Sequence, residues 1–224
     1  RPSTYTKYSF PYSRHASALN TVQQWFIENT RLGIPVDFTN EGIHGLASEK
    51  ATGLPAPIAI GSTWNKSILN KAGHIVGREA KALGYTNVYV PIVDLARDPR
   101  WGRVSEGNGE DAFLSSAIAR AMVKGYQGDG SYKENSLMAC VKHFALYGAA
   151  EGGRDYNTVD MSAVRMYNEY FPPYKAAVEA GAGTFMASFN EIAGVPSTGN
   201  KWLMNDLLKK EWGFNGFVVT DYTG

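Results

Sequence analysis

A single carboxylate closes an apolar run in the stretch GFVVTDYTG, where Asp221 follows Val218, Val219 and Thr220. An acid delivered by the end of a buried strand is the residue type that attacks an electrophilic carbon or exchanges a proton. A second apolar run, LMACVKHF, ends in an adjacent Lys and His. On a regular pleat Lys142 and His143 point to opposite faces, and they meet one ligand only where the strand is already turning. Two readings stand for this pair. Both side chains donate to hydroxyl groups of a polar ligand, or His143 bonds a backbone carbonyl while Lys142 caps a neighbouring helix.

The stretch RDPRWGRVSEGNGED crowds three arginines, several acids and a Trp into one loop after a strand. A loop so charged needs internal ion pairs to be ordered, and the planar guanidinium fork suits carboxylates or vicinal hydroxyls. Arg97, Asp98 and Arg100 are expected to pair with one another, which leaves Arg103, after Gly102, as the ligand contact. EGGRDYN offers Arg154 and Asp155 beside two glycines, either as a solvated loop or as a further contact. In TNEGIHG, Glu41 accepts from paired hydroxyls or caps a helix, and His44 is read as structural.

Other chemistries lack their residues. The four histidines, His15, His44, His74 and His143, form no HxH or HExxH pattern, so no metal is expected. There is no GxSxG elbow, no GxGxxG after a first strand and no Walker loop, and no cofactor is expected. Cys140 is the only cysteine and lies inside an apolar run, where it reads as a buried inert thiol. With 22 basic against 21 acidic residues the net charge is +1, which recruits neither nucleic acid nor an anionic membrane, and no apolar run approaches the length of a membrane span. Thirteen Tyr and five Trp suit either stacking on ring-shaped ligands or pinning of loops. By elimination, covalent chemistry falls to a carboxylate, and Asp221 is the best placed.

The elements that would position these residues alternate. Helices are expected over 13–33, 62–84, 110–128, 162–181 and 200–213, each followed by a strand, over 34–40, 87–96, 136–144, 183–190 and 216–220. APIAIG adds a further short strand, and Pro172 and Pro173 should kink or divide their helix. Continuous apolar strands alternating with helices imply a parallel sheet covered by helices. Polar groups recur at strand C-terminal ends: Asp37 and Glu41, Asp94, Arg97 and Asp98, Lys142 and His143, Asn190, and Asp221. A whole rim of such groups favours a (β/α)8 TIM-type barrel, incomplete as given, over an open doubly wound sheet with one switch point.

DPRWGRVSEGNGED, VKHF with its Gly-rich loop, ASFNEIAG and GFVVTDYTG, in this order, resemble the N-terminal barrel of glycoside hydrolase family 3, of the periplasmic β-glucosidase type. The likeness runs from about Leu32 to Gly224. It implies that residues 1–224 are one partial catalytic barrel, that Asp221 is the nucleophile, and that Glu41, Arg103, Lys142, His143, Arg154 and Phe189 surround a sugar. Glu41 replaces the family's usual Asp, and Phe189 stands where many relatives have a Tyr, so one hydrogen bond to the nucleophile is absent. The branch that uses a His in a PGHG-like loop as acid/base is not expected, because ALYGAAEGGRDYN has no His. The remaining branches take their acid/base from a C-terminal α/β domain, which these residues do not include.

The implied activity is retaining hydrolysis of terminal β-D-glucosyl or xylosyl residues, on an oligosaccharide or β-glycoside partner, in the periplasm or outside the cell. The alternatives are a non-catalytic carbohydrate-binding domain that lacks its general acid and, more remotely, a barrel enzyme using Asp221 and Lys142 for proton abstraction. Without its proton donor the isolated polypeptide is expected to be inactive.

Overall fold

The computed structural model describes residues 12–222 and 224. Helix α1 (Tyr12–Asn29) is anchored by two side chains. His15 Nε2 lies 2.9 Å from the Leu83 carbonyl, and Gln23 exchanges two hydrogen bonds with the backbone of Val36. The expected strand over 34–40 pairs only at its end, as β1 (Thr39–Asn40).

Where APIAIG suggested another strand, the chain forms a short helix, α2 (Pro57–Gly61). Proline fits the first helical position because the N–H it lacks has no intrahelical partner there, and the buried residues Pro57, Ile60 and Gly61 keep the spacing of one helical face. Helix α3 (Lys66–Ala82) starts at Asn65, whose side chain accepts from the amides of Ser67 and Ile68. Strand β2 (Asn87–Val88) follows. Helix α4 (Ala112–Gln127) is capped by Asp111, which accepts from Leu114 N at 2.6 Å. Helices α3 and α4 cross closely because Gly125 faces Asn70, where a Cβ would lie 2.4 Å from the Asn70 carbonyl oxygen. That close crossing buries Val76, Ile118, Ala119 and Val123, each larger side chain contributing about 1.5–3 kcal/mol.

Strand β3 (Met138–Phe144) is the longest. After it, α5 (Ala163–Arg165) runs through a π turn (Met166–Tyr170) into α6 (Pro172–Glu179), so the two prolines divide the helix as their missing N–H groups dictate. Strand β4 (Thr184–Ala187) leads to a hairpin of β5 (Glu191–Ile192) and β6 (Val195–Pro196). Its turn residues Ala193 and Gly194 both have positive φ, 49° and 79°, which matches the twist of a two-residue hairpin turn. A helix over Trp202–Glu211 and strand β7 (Phe217–Thr220) complete the described chain.

Strands β1, β2, β3, β4 and β7 form one parallel sheet in that order, curled into a half-barrel with the helices around it. Sequential parallel order with a helix at each crossover is what a barrel requires and a doubly wound sheet breaks. Among the described residues no helix is long and apolar enough to cross a membrane.

One expected rim residue lies at the other end of the sheet. Asp37 precedes β1, and its carboxylate accepts from the Thr86 hydroxyl at 2.6 Å and from Asn87 Nδ2 at 3.0 Å. Asn87 in turn bonds Thr184 inside the sheet at 3.1 Å. Asp37 therefore ties strand beginnings together, a scaffold role.

Candidate functional site

At the C-terminal ends of the strands six of the seven expected site residues converge. Lys142 and His143 end β3, the peptide between them is cis, and both side chains reach the same rim. Lys142 Nζ lies 3.0 Å from Glu41 Oε2, just past β1. The Lys142 side chain is only 4% exposed, so the carboxylate compensates a charge that water cannot reach. The ammonium also stands 5.7 Å from the centre of the Tyr89 ring, within cation–π range.

His143 is the hub. Its Nδ1 lies 2.8 Å from Asp94 Oδ2, and its backbone N–H donates to the same oxygen at 3.1 Å. Its Nε2 lies 3.2 Å from Arg103 Nη2 and 3.4 Å from Asp221 Oδ2. Burial lowers the His143 pKa; Lys142 and Arg103 push the same way, and Asp94 opposes them. Tyr174, from α6, brings its hydroxyl to 2.6 Å from Asp94 Oδ1 and 2.7 Å from the His143 carbonyl. Burial, with Asp94 adding to it, holds that phenol well above its ordinary pKa, so it remains a donor.

Arg103 is gripped by Glu106 through two parallel bonds, of 3.0 and 2.7 Å. Burial works against its charge, but Glu106 outweighs burial and the pKa lies above the ordinary arginine value. The fork is thereby aimed, with its centre 5.4 Å from the Tyr147 ring. Asp221, immediately after β7, is 7% exposed, and one of its oxygens accepts from Tyr222 N at 2.8 Å.

Phe189 joins through aromatic contacts: its ring packs on Tyr147 and Tyr156, at 5.6 and 4.9 Å, and Tyr147 stands edge-on to His143 at 5.1 Å. Arg154 does not join. It is exposed and makes no side-chain hydrogen bond or ion pair among the described residues. Its neighbour Asp155 turns inward instead, and one carboxylate oxygen accepts from Trp101 Nε1 at 3.1 Å and from Tyr156 N at 3.2 Å. The loop after β3 also approaches the β2 segment closely, since a Cβ on Gly148 would lie 2.3 Å from the Leu95 carbonyl oxygen.

The charged loop is wired differently from the expectation. Asp98 and Arg100 pair at 2.7 Å, and Arg100 holds the Asp98 carboxyl down to about 2. Arg97 turns away to Glu169 and lies over the Tyr170 ring, because the π turn brings that acid within its reach. His44 is exposed, and the Cys140 thiol, buried at the sheet, is pushed up to about 12 by that burial.

Glu106 and Tyr174 escaped the sequence reading, Asp94 entered it only as one of the rim groups, and Asp155 only as the alternative to a solvated loop. For Asp94 a signal existed: an acid that ends an uninterrupted apolar run is buried, and a buried carboxylate requires donors. The arrangement offers one nearly buried carboxylate, Asp221, beside an imidazole, a guanidinium and an ammonium–carboxylate pair, all able to bond hydroxyl groups.

Comparison with known proteins places this geometry. The family model described as the glycosyl hydrolase family 3 N-terminal domain matches residues 6–224. A periplasmic β-glucosidase of Salmonella typhimurium is 42% identical over 204 residues, 91% of this chain and 26% of its own length. A β-xylosidase of Formosa agariphila is 41% identical, with 86% of this chain and 28% of its own covered. Among solved structures, a β-glucosidase from Listeria innocua superposes with a TM-score of 0.85 at 43% identity, over 91% of this chain and 28% of that one. It has also been solved with glucose. A β-glucosidase from Erythrobacter marinus reaches a TM-score of 0.90 at 35% identity, over 97% of this chain and 29% of its own. The chain thus spans somewhat over a quarter of the length of the relatives it matches.

Proposed function

The chain belongs to glycosyl hydrolase family 3, and from that premise we propose that it carries the nucleophile and most of the sugar-binding groups of a retaining β-glycosidase, β-glucosidase before β-xylosidase. The carrying observation is that Asp221, at the end of β7, lies 3.4 Å from His143 Nε2 on the rim where Lys142, Glu41 and Arg103 also meet. Asp221 attacks the anomeric carbon of a terminal sugar. The bond to the leaving oxygen breaks as a second carboxyl protonates that oxygen, and a glycosyl ester forms on Asp221. Water, activated by the second group, then hydrolyses the ester with net retention.

Hydrogen bonds from the rim to ring hydroxyls strengthen as the sugar flattens towards an oxocarbenium ion, and so contribute to rate as well as binding. The second carboxyl comes from a further α/β domain of the parent protein, and the residues described supply one half of the pair. A periplasmic location agrees with the naming of the Salmonella relative. Incubating the full-length protein with a 2-deoxy-2-fluoro glycoside and mapping the trapped sugar by mass spectrometry tests the assignment. The expected label is on Asp221, and a label on any other residue overturns it.

A second reading, a carbohydrate-binding product without turnover, draws on the same rim, where Lys142, Glu41 and Arg103 can bond hydroxyl groups whether or not a glycosidic bond is broken. Retained glycoside affinity without hydrolysis by the full-length protein would favour it.

A further inference from the structure

We infer that Asp94 is a positioning residue that fixes His143 as its Nδ1–H tautomer, with Tyr174 holding the carboxylate, so that Nε2 meets the site as a hydrogen-bond acceptor. The two ends of the imidazole argue this independently. At Nδ1 the partner is Asp94 Oδ2, 2.8 Å away and fully buried, and an ionised carboxylate only accepts. At Nε2 the nearer partner is Arg103 Nη2, at 3.2 Å, and a guanidinium only donates. A proton on Nδ1 and a lone pair on Nε2 satisfy both; the opposite tautomer sets lone pair against carboxylate and N–H against N–H.

The doubly protonated ring is disfavoured by the same surroundings. A proton on Nε2 would face the Arg103 donor, and the ring is buried between Lys142 and Arg103, which lowers its affinity for the second proton. The carboxylate itself is held in place. Three donors converge on it, the His143 backbone N–H, His143 Nδ1–H and the Tyr174 hydroxyl, and they arrive from two elements that flank it. A carboxylate fixed from both sides cannot rotate to offer the ring a different edge.

This reverses half of the expectation for the Lys-His pair, in which both members donate. Lys142 donates, and His143 accepts at its free nitrogen. Granting the sugar site proposed above, on which this consequence rests, a hydroxyl meets Nε2 by taking the place of the Arg103 N–H on its single lone pair; it donates its proton there and leaves its own lone pairs for Lys142 or the freed Arg103. The nearby Asp221 oxygen, at 3.4 Å, receives no hydrogen bond from His143 and keeps its electron density for attack.

Neutron diffraction from the deuterated full-length protein reads the tautomer directly and needs no substrate. Deuterium on Nδ1 with none on Nε2 is expected, and deuterium on Nε2 overturns the inference. Kinetics of the full-length protein add a second arm. Asp94→Ala should lower kcat/KM for an aryl β-glucoside by about 10- to 100-fold, the scale on which partners that orient a histidine act. Asp94→Asn, which still offers an oxygen to Nδ1–H, should recover most of that loss, and equal losses overturn the inference. If Asp94→Ala does not fold, the neutron result decides. Absence of both glycoside binding and turnover by the wild-type protein would sink the sugar-site reading and leave the tautomer to be judged on the neutron map.

Discussion

Glu41 and Lys142, 101 residues apart in sequence, are held 3.0 Å apart across the rim. Glu41 is half-buried and Lys142 is buried, so the pair is asymmetric: the acid can turn to water, and the base cannot. Glu41→Gln should therefore leave a buried ammonium underpaired and destabilise the protein by about 1–3 kcal/mol, read as a lower thermal midpoint. Glu41→Asp shortens the arm by one methylene and should raise KM for glucosides more than it lowers kcat.

The environment of His143 sets a pH dependence of stability. Burial lowers its pKa in the folded state, whereas an unfolded chain takes up the proton below about pH 6.5. In that window the unfolded state binds more protons, so stability falls as pH falls, by at most about 1.4 kcal/mol per pH unit from this group. Denaturation midpoints between about pH 7 and pH 5 should fall less steeply in His143→Gln than in the wild type. An unchanged slope would count against it.

Asp155 joins two parts of the rim through one oxygen, which receives Trp101 Nε1 and Tyr156 N. Asp155→Ala should release the loop that carries Tyr156 while leaving Asp221 and His143 in place. The expected result in the full-length protein is a KM increase of several-fold with kcat within about two-fold, a split that marks lost ground-state binding.

Gly148 admits no side chain, because a Cβ would meet the Leu95 carbonyl oxygen at 2.3 Å. Gly148→Ala must part the loop after β3 from the segment after β2, at a cost of about 1–3 kcal/mol. Since Asp94 adjoins Leu95 and His143 lies in β3, the variant should lose activity as well as thermal stability. A stable, fully active Gly148→Ala would show that the two segments are not coupled.

The parallel architecture was legible because continuous apolar runs alternate with helical spacing, and the rim was legible because acids and bases recur where those runs end. Asp37 and APIAIG misled for local reasons. Asp37 sits before, not after, the two residues that actually pair, and Pro57 nucleates a turn of helix in a segment whose composition suits a strand equally well. Tyr174 was unreadable for another reason. It matters through a partner on a different element, and only the folded backbone brings Tyr174 of α6 against Asp94, 80 residues away; Glu106, by contrast, grips Arg103 from three residues on.

Those separations have a kinetic side. The contacts that order His143 span 49 residues to Asp94 and 40 to Arg103, and the Glu41 pair spans 101. A chain must close loops of that size, at an entropic cost that grows with the logarithm of their length, before any of these bonds contributes. The crossing of α3 and α4 closes a loop of comparable size, 51 residues between Asn70 and Ala121. Helical scaffold and rim therefore face closure costs of the same order, and the rim geometry forms with the fold that carries it, not upon a finished scaffold.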